Sequence, residues 1–180
     1  MNSTKVRTIR RAIRAVVLAC FAFGAPPSMA GNAAVKRLLV LDFEIVDTSN
    51  EPVDQRADHE KRLVIVREAV ATGLAARKIY EVVGREKIAT ELAAVLEHQY
   101  LRGCNGCELT LGEHAGADLV MIGQVNKVST LVMSMRVSIK DVKTGELTFF
   151  KTFDFRGDTD RSWDRAARYF TDRVADLPPG

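Results

Sequence analysis

The order of apolar patterns along the chain predicts an α+β domain: a mixed β-sheet of about five strands with flanking helices, in the order β-α-β-α-α-β-β-β-α. Three observations carry this. Val35 to Val46 is nearly continuous in Val, Ile, Leu and Phe, as in a strand buried on both faces. Three separate stretches repeat apolar residues at steps of three and four, the spacing of one helix face. Thr130 to Lys140 alternates apolar and polar residues, as in a half-buried antiparallel strand, and a Lys143-Thr144-Gly145 turn leads into a second such run.

Taken in order, the first strand is Val35 to Val46, with Leu38 to Leu41 as its apolar centre. Thr48 to Asp58 is loop-like in composition. A helix is expected from about His59 to Arg77, with Leu63, Val66, Val70 and Leu74 on one stripe. Ile79 to Val83 reads as a short strand. Arg85 to Tyr100 reads as a helix with Ile88, Leu92, Val95 and Gln99 on one face. Leu101 to Gly106 is a loop, and Cys107 to His114 a short helix stopped by Gly116, which can take the left-handed cap. Leu119 to Val125 is a strand. In Thr130 to Lys140, Leu131, Met133, Met135, Val137 and Ile139 are expected to share one face. Asp141 can accept the turn amides that follow, and Gly145 can take a positive φ. Glu146 to Phe155 completes the hairpin. Ser162 to Leu177 is the last helix, with Trp163, Ala167, Phe170, Val174 and Leu177 facing inward. Whether the region from Val125 to Lys140 forms a free sheet edge stays open, and its polar alternate face would suit a partner.

The first thirty residues say where this domain works. Lys5, Arg7, Arg10, Arg11 and Arg14 precede an apolar run from Ala15 to Ala25, then Pro26, Pro27 and Ser28-Met29-Ala30. A basic segment, a short apolar core and a small-residue site together read as a secretory signal peptide cleaved after Ala30. Residues 1–30 are then the signal and 31–180 a single domain, periplasmic in location. The apolar run has 11 residues, short of the ~20 a membrane-spanning helix needs, so the mature form is expected to lack a transmembrane anchor. Lipidation at Cys20 is an alternative, although Leu18 is atypical for a lipoprotein box. Arg10-Arg11 suggests twin-arginine export, with little else to match.

Charge narrows the partners. The chain carries 26 Lys and Arg against 23 Asp and Glu. Removing the five basic residues of the signal leaves 21 against 23, so the net positive charge belongs to the export signal. The remaining bases are interspersed with acids, which argues against nucleic acid as a partner.

Three segments resemble a known periplasmic pattern. Leu39-Val40-Leu41-Asp42-Phe43 resembles the opening strand of the TolB amino-terminal domain and of the curli-secretion protein CsgG. The run from His114 through Gly116-Ala117-Asp118 to Gly123 resembles their step from helix through Gly-Ala-Asp to strand and Gly. Ile139 to Glu146, with Asp141, Thr144 and Gly145, resembles their Asp-x-x-Thr-Gly hairpin. The resemblance implies an open sheet with flanking helices, used for protein contacts in envelope assemblies, and no catalytic residues. The chain is also similar to secreted bacterial proteins associated with quinoprotein alcohol oxidation. The expected partner is a periplasmic or envelope protein, and a homo-oligomer stays open.

After cleavage the remaining cysteines are Cys104 and Cys107, in Cys104-Asn105-Gly106-Cys107. One reading is a structural disulfide, since Asn-Gly forms tight turns and an exported protein meets an oxidising environment. So short a loop gains only about 2 kcal/mol in chain entropy. A second reading is thiol-disulfide exchange, because the pair precedes a helix whose N-terminus lowers a thiol pKa. The position after two helices departs from the thioredoxin arrangement. A third reading is a Zn or Cu site made of His98, Cys104, Cys107 and His114. Each histidine also suits an ordinary place near a helix C-terminus. Haem attachment is disfavoured by Glu108 in place of histidine.

Asp158, Asp160 and Asp164 are read as capping and first-turn acids of the last helix rather than a cation site. Met133 and Met135 lie on the apolar face of an alternating strand and are read as core. No Gly-rich phosphate loop, no G-x-S-x-G and no nucleophile-histidine-acid set is visible. With three histidines available, His59, His98 and His114, catalysis by histidine is poorly supported and no cofactor is expected. The sequence therefore reads as a non-catalytic exported binding module, with redox or metal work at Cys104 and Cys107 as the alternative.

Overall fold

The computed structural model describes residues 35–175. The expected signal peptide, Cys20, the cleavage site and Leu177 lie outside them. One five-stranded sheet runs in the order β2-β1-β3-β4-β5. Its strands are β1 (Arg37–Asp47), β2 (Glu81–Val82), β3 (Leu119–Ser129), β4 (Val132–Asp141) and β5 (Leu147–Phe155). β1 is parallel to both its neighbours, and β3, β4 and β5 form an antiparallel meander. The helices are α1 (Arg56–Ala76), α2 (Ala89–His98), α3 (Cys107–Ala115) and α4 (Asp160–Ala175), with short 3₁₀ turns at Glu86–Ile88 and Leu101–Gly103. This is the expected α+β architecture in the expected order.

Two cores lie on opposite faces of the sheet. On one, Val66, Val70 and Leu74 of α1 and Trp163, Phe170 and Val174 of α4 pack over Leu38, Val40, Phe43, Met121, Val125, Met133, Met135, Val137 and Ile139. On the other, Leu92 of α2 and Leu111 of α3 join Leu39, Leu41, Ile88, Leu101 and Val120. The strand centred on Leu38 to Leu41 is apolar throughout because helices cover both its faces there. Full burial of a Leu or Val removes a side chain worth about 1.5–3 kcal/mol from water, so this central strand anchors both layers.

A bulge breaks the β1–β3 register between Val40 and Phe43. Opposite it stands Gly123, where a Cβ would sit 2.1 Å from the Phe43 ring. The glycine is therefore required by the close approach of an aromatic ring to the sheet, a common reason for glycine inside a strand. Asp118 is bidentate to the Arg37 guanidinium, at 3.3 and 3.0 Å, and also accepts the Arg37 amide, so it ties the start of β1 to the start of β3. Gly116 takes φ +75° at the end of α3, and Gly145 takes φ +72° in the β4–β5 turn, where Asp141 accepts the amides of Lys143 and Thr144.

Several boundaries move. α1 starts at Arg56 rather than His59: the His59 amide donates to the Gln55 carbonyl at 2.9 Å, closing the extra turn, and the Asp54 carboxylate before it accepts the Arg56 amide at 3.0 Å. The expected helix from Arg85 to Tyr100 begins as a 3₁₀ turn and is α-helical only from Ala89 to His98. β3 runs on to Ser129. Leu131 does not join the core face. It sits in the tight β3–β4 turn and is 67% exposed, since the alternation belongs to the strand and the turn interrupts it. β4 is paired on both sides, so the 125–140 region is not an edge. No helix among the described residues is long and apolar enough to cross a membrane.

Candidate functional site

The densest polar cluster is a buried ionic knot beneath α1 and α4, centred on Asp158. The Asp158 side chain is 2% exposed and that of Lys127 0%. Gly157, at φ +91°, donates its amide to the Thr130 carbonyl and turns the chain so that Asp158 points inward. Its Oδ2 meets His59 Nε2 at 2.8 Å and Lys127 Nζ at 2.9 Å. Its Oδ1 accepts from Arg62 Nη1 at 2.8 Å and Trp163 Nε1 at 3.0 Å. Lys127 also donates to Glu51 at 2.9 Å and to Gln55, so its three protons are all used. Asp47 lies 3.8 Å from His59 Nδ1 and 3.6 Å from Lys127. The His59 and Trp163 rings stack at 5.9 Å.

Burial by itself would raise the Asp158 pKa, but the hydrogen bonds from His59, Lys127 and Trp163 outweigh it and hold the group at about 2. For Lys127 the penalty of burial is overcome by Asp158 and Glu51, which raise its pKa. Glu51 is held at about 2, first by the Thr130 hydroxyl and then by Lys127. Every charge here is paired, so the knot is a structural tie between the 48–55 loop, α1, β3 and α4 rather than a reactive centre.

This overturns the capping reading of Asp158. The Thr159 hydroxyl accepts the Ser162 amide at 3.3 Å instead, Asp160 pairs with Lys61 and Arg62, and Asp164 pairs with Arg168 one helical turn on. Two of the hub residues left a trace in the sequence. Lys127 follows Met121, Gly123 and Val125 at even spacing, on the core face of β3. His59 extends the Leu63, Val66, Val70 stripe by one turn. Their pairing with Asp158, 99 residues from His59, left none.

Beside the knot opens a cleft of about 810 Å³. Its floor is Phe43 to Asp47 of β1, one wall is α1, and the other is the end of α2 with Tyr100. Val53, Val64, Leu96 and Tyr100 line it and are exposed, a concentration of apolar surface on one side of the molecule. Acids line it too. Asp42 is bound to Arg85 and, at 3.3 Å, to Arg67. Glu44 accepts the amides of Leu101 and Arg102 and the Arg102 guanidinium, which orders the segment after α2.

On the opposite face, Cys104 and Cys107 are joined as a disulfide with Cα atoms 5.7 Å apart. Gly106, at φ +95°, leads into α3. The buried Glu108 carboxylate lies 3.1 Å from Cys104 Sγ and 2.7 Å from Lys140 Nζ. The described residues bring Cys104, Cys107 and Glu108 together as a cluster of potential ligand atoms, and neither His98 nor His114 belongs to it. His98 is exposed at the end of α2. His114 is exposed and bound at 2.7 Å to Glu91, a hydrogen bond that raises its pKa. In this structure the two sulfurs are bonded to each other. The neighbouring polar face of β3 and β4, with Gln124, Arg136, Ser138 and Lys140, holds a small pocket of about 190 Å³.

This arrangement is a sheet with helices on both faces, one large cleft and paired charges. Solved structures share the fold. The LpoB C-terminal domain from Salmonella enterica is 16% identical over 71% of this chain and 87% of its own, with a TM-score of 0.50. The hypothetical protein CT253 from Chlamydia trachomatis is 12% identical over 79% and 96%, also with a TM-score of 0.50. Lipoprotein GNA1162 from Neisseria meningitidis is 11% identical over 79% and 99%, again with a TM-score of 0.50. No curated protein matches the chain by sequence. The chain belongs to the DUF3280 family, described as "Protein of unknown function (DUF2380)", whose model matches residues 36–174.

Proposed function

We propose that this protein is an exported, non-catalytic binding module of the cell envelope that engages a partner protein through the cleft between α1, β1 and the end of α2. The observation that carries the reading is the cleft itself: about 810 Å³, open, walled by exposed Val53, Val64, Leu96 and Tyr100, and rimmed by six carboxylates, five of them paired with arginine or lysine. Such a surface suits recognition more than turnover. The one buried histidine supports this. Both nitrogens of His59 face carboxylates, and among the described residues no hydroxyl or thiol is hydrogen-bonded to either for it to activate.

The signal-like residues 1–30 support export, with a mature domain beginning at Gly31. The presence of a named lipoprotein among proteins of this fold agrees with an envelope setting, and so do the TolB- and CsgG-like motifs, which point to protein contacts. The Cys104–Cys107 bond acts in this reading as a local staple. The association with quinoprotein alcohol oxidation gains no support from the cleft and forms no part of the proposal.

The test places a photoreactive residue at Val64 or Tyr100 of the exported protein in intact cells, with Lys151 on β5 as control. A protein adduct of one defined mass from both cleft positions and not from Lys151 is expected. Absence of any adduct specific to the cleft overturns the reading. Intact mass of the recovered chain checks export and redox state together: a start at Gly31 and a deficit of two hydrogens are expected.

A further inference from the structure

The floor of the cleft is a strand edge. β2 pairs with β1 at Arg37 and Leu38 only, and after Val83 the chain turns away into the α2 region. Beyond that point β1 runs on to Asp47 with β3 on one side and no strand of the described residues on the other. The backbone direction follows from the ladder. The Thr48 amide donates to the Lys127 carbonyl at 2.9 Å, so strand alternation turns the N–H and C=O groups of Glu44 and Val46 toward β3 as well. Those of Phe43, Ile45 and Asp47 then face the cleft. Phe43 is buried, so the open part of this row is Ile45 and Asp47; an open row of this kind is a template for another strand, and native sheets normally blunt it. Here it is framed instead. α1 presents Leu63 and Val64 above it, and Leu96 and Tyr100 stand below it.

We propose that this edge receives an extended segment of the partner polypeptide by strand addition, with apolar side chains alternating with lysine or arginine. The inference rests on the cleft being the partner-binding surface and names how the partner is held. An added strand lies about 4.8 Å from β1 and sends alternate side chains to opposite faces, toward α1 and toward Leu96 and Tyr100. Its backbone would satisfy the outward groups of Ile45 and Asp47. The charge of the rim sets the sign of the polar positions. Asp42, Glu44, Asp47, Glu51, Asp54 and Glu60 line the cleft, and the Lys and Arg that touch them are Arg56, Arg67, Arg85, Arg102 and Lys127. The acids are in surplus, so an acidic segment meets repulsion and a basic one does not.

The probe is a short end-blocked peptide of alternating Val and Lys, added to the mature protein while amide hydrogen exchange is followed by NMR. Protection of the Ile45 and Asp47 amides is expected, with the same peptide N-methylated at alternate residues binding at least about tenfold more weakly. An alternating Val and Glu peptide should also bind more weakly. Ile45→Pro removes one edge donor that the β1–β3 ladder does not use, and should abolish protection at the neighbouring positions. Equal binding of the N-methylated peptide overturns strand addition while leaving the cleft as a binding surface. Protection of the same amides that grows with protein concentration, without peptide, makes a second copy the occupant and also overturns the proposal. If crosslinks from Val64 and Tyr100 are absent but peptide protection is present, it is the binding-module reading that fails.

Discussion

The Asp158 knot is buried and the Cys104–Glu108 staple half-buried, and they hold the molecule at different ranges. Asp158 gathers four donors from α1, β3 and α4, and Lys127 extends the reach to the 48–55 loop. The disulfide spans three residues, and its Glu108 neighbour reaches only to Lys140 on β4. The cluster that looks chemical in sequence is the local one. The cluster that ties the two halves of the chain contains no recognisable motif. A buried charge is costly wherever it sits, so its importance follows from how many distant partners must be present to satisfy it.

Removing the hub breaks this contrast most severely. Asp158→Ala leaves Lys127 and His59 buried without their shared acceptor, and a loss of about 3–5 kcal/mol is expected in urea unfolding. Lys127→Met should cost less, since Asp158 keeps three of its four donors. If Asp158→Ala proves no worse than loss of the disulfide, the knot is not the long-range tie described above.

The same charge can be removed by acid. The Asp158 carboxyl is held down from 3.8 to about 2, so the stability it contributes is present above its unfolded value and disappears as pH falls through its folded value. The wild-type protein should lose stability between about pH 4 and pH 2, with Glu51 contributing in the same range. Thermal unfolding of Asp158→Asn should show a visibly flatter pH dependence in that window. An unchanged slope would remove Asp158 from the account.

Gly123→Ala tests the sheet between the two clusters. The new Cβ meets the Phe43 ring, and overpacking of this kind costs about 1–3 kcal/mol. Phe43→Leu should recover part of that loss in the double variant, read as a positive coupling in a mutant cycle. Additive losses would mean that the ring does not set the requirement for glycine.

The smallest effect is expected at the staple. Cys104→Ser with Cys107→Ser should retain the circular dichroism spectrum and cost about 2 kcal/mol or less. Global unfolding of that variant would make the disulfide as far-reaching as the knot and erase the difference between them.

The fold was legible in the sequence to the extent that it is periodic. Val66, Val70 and Leu74, or Met133, Met135, Val137 and Ile139, announce their faces because a helix or strand repeats every 3.6 or 2 residues. Leu131 misled because a turn ends the repeat without changing the residue types around it. Of the candidate sites, Cys104 and Cys107 were visible as a spaced pair. Their neighbour Glu108 shows in the sequence only as the residue that disfavours haem attachment. The cleft has no sequence signature, since Val53, Val64, Leu96 and Tyr100 come from separate segments.

The sequence by itself determined the α+β class, the order of the elements, most of the inward faces and the turn chemistry at Gly116, Asp141 and Gly145, all of which depend on residues a few positions apart. Only the tertiary structure decided that Asp158 joins His59 and Lys127, that Glu44 orders the segment after α2, and that β2 ends early enough to leave the edge of β1 open. These depend on which distant groups meet when two sheet faces are covered by four helices, and no local period of the chain encodes that meeting.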